Sequence, residues 1–238
     1  MVGLTYNSFV TDLANMIVVA PTDVGYVTAL PNIIDDAEQR LYRELDLLST
    51  RTRDTAPLVA NNRNFTLPSN NGRFIGVEQM NAITPAGQTN PDLGTRNPML
   101  PASKEFLDAV WPSVAGAGVP GSMAPITDQQ WVVGAWPDAA YTVEVIGWIR
   151  PTPLSFTNQT TPLTLYLPDV FLAAALVMAA GYQMNFSSMG DNPQQAVTWE
   201  THVATLLNSA KVEEFRKKFA SEAWTSKTPD PLAAPPRT

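Results

Sequence analysis

Residues 167–184 read LPDVFLAAALVMAAGYQM and contain the longest apolar run of the 238-residue chain. Pro168 and Asp169 favour the start of a helix, because proline is tolerated in a first turn and an acid suits the positive end of the helix dipole. A helix that is apolar on every side is a buried helix. The small residues Ala173–Ala175 and Ala179–Gly181 allow neighbouring backbones to approach closely. This stretch therefore predicts the central helix of a bundle.

Two helices are predicted before residue 55. The first is expected from an N-cap at Thr5 to about Pro21, with one apolar face formed by Phe9, Leu13 and Ile17. The second is expected to begin near Pro31 and to run through NIIDDAEQRLYRELDLL, residues 32–48. Its apolar stripe consists of Ile34, Ala37, Leu41, Leu45 and Leu48.

A fourth helix and an extended arm are predicted at the carboxyl end. The helix is expected to begin at Asp191-Asn192-Pro193, with an apolar face formed by Ala196, Trp199, Val203, Leu206 and Ala210. The arm, residues 220–238, reads ASEAWTSKTPDPLAAPPRT and is too poor in apolar residues to fold alone. Its four prolines favour extended conformations. Trp224 has no core of its own there, which indicates an anchor for another surface.

The middle of the chain predicts short strands. Between Pro57 and Pro168 lie 14 of the 21 prolines, a density that long helices do not tolerate. Residues rich in β-branched and aromatic side chains predict strands over Arg63–Leu67, Arg73–Ile83, Gln130–Gly134 and Tyr141–Ile149. Ala102–Val110 is expected to form a short helix. Thr84–Asn97 and Pro112–Pro125 are expected to be long loops.

These patterns together predict an α+β fold in which a β domain is inserted into a helical bundle. The bundle is expected to consist of residues 1–55 and 163–219, the antiparallel β-rich domain of residues 56–162, and the extended arm of residues 220–238.

Composition narrows the classes of function. Only 16% of the residues are charged, so a largely neutral surface is expected to lie in contacts. The net charge is -7, which disfavours nucleic-acid binding by neutralisation of phosphates. No cysteine is present, which excludes disulfides and thiolate chemistry. The longest apolar run, about 11 residues, is too short to cross a bilayer, so no membrane association is expected.

The residues that could carry chemistry favour non-catalytic roles. His202 is the single histidine, and a surface or packing role is expected for it. Asp35-Asp36 and Glu213-Glu214 are neighbours on helices and point about 100° apart, so they are expected on solvated faces rather than around one substrate atom. The stretch Gly116–Gly121 matches GxGxxG in letters, but Pro120 and the residues after it block the required helix. We therefore predict no catalytic, metal or cofactor site and no enzymatic activity.

Three stretches carry a resemblance to a known family. AEQRLYRELDLL (residues 37–48), the stretch of residues 167–184 and QQAVTWETHVATLLNSAKVEEFRKKF (residues 194–219) together resemble head-to-tail adaptor proteins of tailed bacteriophages, of the connector or tail tubular protein A type. The similarity covers about residues 4–219. It implies a virion structural protein at the head–tail junction, assembled in the host cytoplasm as a homo-oligomeric ring of usually about twelve copies.

The resemblance also implies partners. The ring would lie under the portal protein, extend the DNA channel without binding DNA specifically, and support the tail nozzle or fibre proteins. The arm would contact the portal or a neighbouring subunit. The residues expected to make that contact are Phe219, Trp224, Lys227, Pro229, Pro231, Leu232 and Arg237.

Alternative functions remain open at this point. Trp131, Trp136 and Trp148 lie in or beside predicted strands and are expected in the β-domain core, but an aromatic strip on a β domain also suits a carbohydrate-binding or adhesion module. Another phage tail completion protein is a third possibility. A small hydrolase using carboxylates has no support beyond the presence of Asp and Glu.

Overall fold

The computed structural model describes residues 3–186 and 193–222, with side chains described for residues 3–181 and 197–218. The fold is α+β, as predicted. The helices are α1 (Tyr6–Met16), α2 (Val24–Glu44), α3 (Lys104–Val110), α4 (Pro162–Tyr166), α5 (Pro168–Phe186) and α6 (Pro193–Glu222). The strands are β1 (Arg51–Leu58), β2 (Asn64–Thr66), β3 (Gly72–Thr84), β4 (Thr95–Pro98), β5 (Leu100–Pro101), β6 (Ser122–Pro125), β7 (Gln130–Gly134) and β8 (Tyr141–Pro151).

The chain divides into two compact units. The β-rich unit comprises Met1–Asn7 and Ser49–Leu165, and the helical unit comprises Ser8–Leu48 and Tyr166–Thr238. Each unit therefore has its own core, and the helical unit is assembled from two stretches that are distant in sequence.

Helix α5 supplies much of the core of the helical unit and packs against both α2 and α6. Its buried residues are Val170, Phe171, Ala173, Ala174, Ala175, Leu176 and Ala179, which confirms the prediction of a buried helix. The ring of Phe171 stacks on that of Phe9 from α1 at 4.5 Å between centroids. Because neither aromatic side chain is exposed, each contributes about 1.5–3 kcal/mol of hydrophobic stabilisation.

Helix α2 begins seven residues earlier than predicted. Asp23 is its N-cap, and its Oδ1 accepts a hydrogen bond of 3.0 Å from the Tyr26 N–H. Pro31 lies inside the helix, where its ring leaves the carbonyl of Val27 without an intrahelical donor. This loss is offset by the N-cap and by the burial of Tyr26, Ala29 and Leu30 in the first turns. The predicted start of the helix at Pro31 is therefore wrong.

Helix α6 buries Val203 and Ala210 as predicted, but Leu207 is buried where Leu206 was expected, and Leu206 is half-buried. The side chain of Ala196 lies outside the described residues. The helix continues to Glu222, past residue 220 where the extended arm is predicted to begin.

Two four-stranded sheets form the β-rich unit. Their strand orders are β1-β8-β3-β4 and β2-β7-β6-β5, and all pairings are antiparallel except the short parallel one between β5 and β6. The predicted strands appear as β2, β3, β7 and β8, and the predicted short helix appears as α3. Strand β3 pairs with β8 from Gly72↔Pro151 to Ile83↔Thr142, with two irregularities in register.

The core of the β-rich unit lies between the two sheets. It consists of Ala56, Leu58, Phe65, Leu67, Phe74, Met80, Met99, Met123, Val133, Tyr141, Val143, Val145 and Ile149. A smaller cluster on the other face of the second sheet packs Leu107 of α3 against Ala124 and Val132. The order of layers is therefore first sheet, core, second sheet and helix α3.

Strands β4 and β6 lie largely in stretches that were expected to be loops, and strands β1 and β5 lie in stretches where no strand was predicted. Strand β1, RTRDTAPL, is mostly charged or polar, and this pattern does not indicate a strand by itself. It becomes one through its antiparallel pairing with β8, from Arg51↔Trp148 to Leu58↔Tyr141. The long-range partner, rather than local propensity, determines this edge strand.

Candidate functional site

The predicted partner-binding residues fall almost entirely outside the structure. Trp224, Lys227, Pro229, Pro231, Leu232 and Arg237 lie outside the described residues. For Phe219 the structure gives the backbone, within α6. Their contacts stay predictions.

The acid/base candidates occupy separate positions. His202 is exposed on α6, as expected, and its ring contacts that of Trp199 at 5.9 Å in an edge-to-face arrangement. Glu214 was expected on a solvated face, and this is wrong, because it is only 7% exposed. Its carboxylate accepts hydrogen bonds from the Leu48 N–H at 2.9 Å and from Lys217 Nζ at 2.7 Å. Glu214 therefore binds a backbone donor that follows α2.

Neither a metal cluster nor a dinucleotide fingerprint is found in the part of the chain that the structure describes. No group of three or more His, Asp or Glu side chains is placed to hold a metal ion among these residues. Gly116–Gly121 follows the 3-10 turn Val114–Gly116 and leads into strand β6. The helix N-terminus that a bound pyrophosphate requires does not follow this glycine-rich stretch.

The tryptophans of the β-rich unit are half-buried rather than fully buried. Trp136 is tied to the fold on two sides. Its Nε1–H donates to the Trp111 carbonyl at 3.0 Å, and the Arg63 guanidinium lies 5.2 Å from the centre of its ring. Arg63 in turn forms an ion pair with Asp108 of α3. The Arg63 guanidinium therefore covers one face of the Trp136 ring, and a sugar could not stack on that face.

A buried carboxylate lies in the middle of the first sheet. Glu144 of β8 is 0% exposed. Its Oε2 accepts hydrogen bonds from Asn81 Nδ2 of β3 at 2.8 Å and from Arg96 Nε of β4 at 3.0 Å. Arg53 Nε of β1 lies 3.4 Å from Oε1. One carboxylate thus joins all four strands of the sheet.

Asp92 extends this network over the sheet. It lies in the 3-10 turn Pro91–Leu93 and accepts two hydrogen bonds from Arg53, at 2.8 and 3.0 Å, and one from Arg96 at 2.6 Å. The hydrogen bonds from Arg53 and then Arg96 lower the pKa of Asp92 to about 2. The bonds to Asp92 raise the pKa of Arg53, and hydrogen bonds to Glu144 and then to Asp92 raise the pKa of Arg96. Guanidinium or amide groups bind both oxygens of Glu144. The cluster therefore holds the four strands together, and Glu144 is not available as a general base.

Sequence reasoning missed this network, although a signal for it exists. Glu144 is a carboxylate between Val143 and Val145 in the predicted strand Tyr141–Ile149, whose other residues are apolar or neutral. A charge in the middle of such a strand is costly unless it is paired. The partners were not predictable, because Arg53 and Arg96 lie on strands that the sequence did not indicate.

A cleft of about 690 Å³ opens at one end of the β-rich unit. Its apolar wall includes Leu67, Phe74, Val77 and Ile126. Its polar wall includes Arg73, Arg150, Asp128 and Trp131. Arg73 and Arg150 are directly opposite each other on β3 and β8. Two donors among its lining residues, Trp131 Nε1 and Arg150 Nε, are buried without a hydrogen-bond partner.

Exposed apolar side chains occur on both units. On α6 they include Val197, Val212 and Phe215, exposed by 66%, 51% and 69%. On the β-rich unit, Leu93 and Leu100 are 74% and 67% exposed. Among them, Val212 and Phe215 are three residues apart on α6 and therefore lie on the same side of the helix.

In the described ranges, no helix combines the length and the hydrophobicity needed to cross a lipid bilayer. The family model described as SU10 adaptor protein matches residues 4–227. No curated protein sequence matches the chain.

Proposed function

The chain belongs to the SU10 adaptor protein family, and we propose that it forms a ring under the portal of a tailed bacteriophage. As a family member it is a structural adaptor protein of a phage and a component of the virion. In the proposal, the ring extends the DNA channel and provides the platform for the tail nozzle or fibres. The observation that carries this is the extent of the family match, residues 4–227, which includes both compact units.

Ring formation needs broad contacts between copies of the chain. The exposed apolar residues on α6 and on the β-rich unit support such contacts, since each would lose its unfavourable hydration when a neighbour covers it. The low charged fraction of 16% also supports contacts between copies, because few charges must be desolvated at an interface.

A channel for DNA needs walls that do not hold the phosphate backbone. The net charge of -7 supports this, because acidic surfaces repel DNA rather than neutralise it. We therefore propose that DNA passes through the ring without specific binding.

The domain roles follow from the division of the chain. We propose that residues 1–55 and 163–219 form a discontinuous bundle in the ring wall, with residues 56–162 as an inserted domain. The core made by α1, α2, α5 and α6 supports this, because those helices come from both ends of the chain. Residues 223–238 serve as an arm that contacts the portal or a neighbouring subunit through Trp224 and the residues around it.

Truncation of the arm tests the proposal. Removal of residues 223–238 keeps the whole of α6, so the melting temperature and the circular dichroism of the free chain should be unchanged. Binding to the portal should be lost, because the arm supplies that contact. Mass photometry measures it: with the full chain, twelve copies of 25.9 kDa would add about 310 kDa to the portal.

Trp224→Ala in the full chain is the matched variant, and it should weaken binding without changing the fold. The proposal is rejected if the full chain does not bind the portal. It is also rejected if cryo-electron microscopy of the virion neck shows density in the tier below the portal that does not accommodate this chain. A position lower in the tail would identify a tail completion protein instead.

A further inference from the structure

The cleft of the β-rich unit has an unusual arrangement of cations. Arg73 and Arg150 are directly opposite each other in the β3–β8 pairing, and opposite residues of an antiparallel pair lie on the same face. Like charges in this arrangement repel each other. The carboxylate of Asp128 offsets this only in part, because it lies 3.3 Å from Arg73 and is 83% exposed. Arg150 forms no ion pair with any described carboxylate.

Two buried donors in the same cleft also lack acceptors. Arg150 Nε and Trp131 Nε1 are both inaccessible to solvent and have no hydrogen-bond partner. A buried donor without an acceptor costs about 1–3 kcal/mol, and more when it is charged. Native proteins keep few such groups, and those they keep need an explanation. The guanidiniums of Arg73 and Arg150, two cations in one cleft, indicate a ligand that supplies anionic oxygen.

The remaining walls indicate what carries that oxygen. Val77, which is half-buried, and Ile126, which is 41% exposed, make part of the cleft wall apolar, which suits an apolar side chain next to the anion. Strand β4 pairs only with Asn81–Thr84 of β3, so the part of that edge from Gly76 to Gln79 has no strand partner among the described residues. An open edge beside a cleft accepts an extended peptide by main-chain hydrogen bonds.

We propose that this cleft binds an extended, carboxylate-bearing segment of another protein of the phage tail. The carboxylate is held by the guanidiniums of Arg150 and Arg73, and a neighbouring apolar side chain lies against Val77 and Ile126. The arm of a second copy is disfavoured as the occupant, because its one acid, Asp230, lies between Pro229 and Pro231, which lack the N–H groups that pairing with a strand edge requires. Nucleic acid is disfavoured by the net charge of -7 and by Asp128 in the polar wall.

That the partner is a tail protein rests on the proposed function. The cleft itself does not, since it lies within one chain. Its test therefore uses the free, full-length chain. The probe is a fluorescein-labelled nine-residue peptide of alternating valine and threonine with one central glutamate, and its match replaces that glutamate with glutamine. Fluorescence anisotropy measures both affinities. We expect the glutamate peptide to bind at least about tenfold more tightly, the ratio that corresponds to one charge-assisted contact of about 1.4 kcal/mol.

Two variants locate the binding. Arg150→Met keeps the length of the side chain and removes the guanidinium. Arg73→Gln changes a side chain that is 65% exposed, so this substitution should not unfold the unit. Both variants should weaken binding of the glutamate peptide, and Arg150→Met should weaken it by about tenfold. Arg43→Gln is the control, because Arg43 is an exposed arginine of α2 outside the cleft. It should leave the affinity unchanged.

Equal affinity for the two peptides would overturn the proposal, as would the absence of saturable binding below about 1 mM. The same holds if neither cleft variant weakens binding, or if a single-stranded oligonucleotide of nine thymidines or a glycan displaces the peptide. Portal binding by mass photometry is a separate readout. A chain that joins the portal but does not bind the peptide refutes the cleft and leaves the adaptor function intact.

Discussion

Glu144→Gln should destabilise the β-rich unit far more than the loss of an exposed ion pair. The substitution keeps the shape of the side chain, and its amide oxygen still accepts the Asn81 hydrogen bond, which is 2.8 Å long in the native chain. Its amide N–H₂ group then faces Arg96 and Arg53, where a carboxylate had accepted bonds of 3.0 Å and attracted a second guanidinium at 3.4 Å.

The magnitude follows from the burial of each partner. Removing one member of a fully buried ion pair costs about 3–5 kcal/mol. Arg53 and Arg96 are 44% and 40% exposed, so water and Asp92 satisfy part of what they lose. We therefore expect a cost of about 2–3 kcal/mol, which lowers a melting temperature by about 5–10 °C in a chain of this size.

Urea denaturation followed by tryptophan fluorescence measures the change, and hydrogen exchange locates it. Protection should fall in β1, β3, β4 and β8, the strands that Glu144 joins. Glu200→Gln is the matched control: Glu200 pairs with Arg40 but is 49% exposed, so its loss should cost less than about 1 kcal/mol. If Glu144→Gln costs no more than this control, the carboxylate does not fasten the sheet and the reasoning is wrong.

Two further predictions concern pH and the helical core. The pKa of Asp92 is about 2 in the folded chain against 3.8 for a free carboxyl, so its ionised form stabilises the fold above about pH 4 and this contribution is lost as the pH falls towards 2. Asp92→Asn should therefore lose less stability than the native chain between pH 4 and pH 2, and equal losses in the two chains would contradict this. Phe171→Ala should cost about 3–5 kcal/mol of unfolding free energy, because it leaves a cavity against the ring of Phe9. Val212→Ala, at a position 51% exposed, should change the unfolding free energy by less than about 0.5 kcal/mol, and a similar cost for both variants would show that α5 is not the core helix.

Local pattern predicted the elements whose character is set by their own residues. Helix α5 is apolar on every side and is buried wherever the chain places it. Strands β3, β7 and β8 contain β-branched and aromatic residues between turn residues, and each appears close to its predicted limits. The α+β class follows from these elements, because the proline-rich middle excludes long helices.

Tertiary contacts decided the rest. Strand β1 forms because β8 supplies its hydrogen bonds. Helix α2 continues through Pro31 because its first turns are capped and buried. Glu214 is buried where its carboxylate accepts the Leu48 N–H. The Glu144 network and the cleft join strands that are far apart in sequence. Periodicity reports which face of an element is apolar, but it does not report which distant residue will meet that face. That is why the cluster and the cleft had to be found in the folded chain.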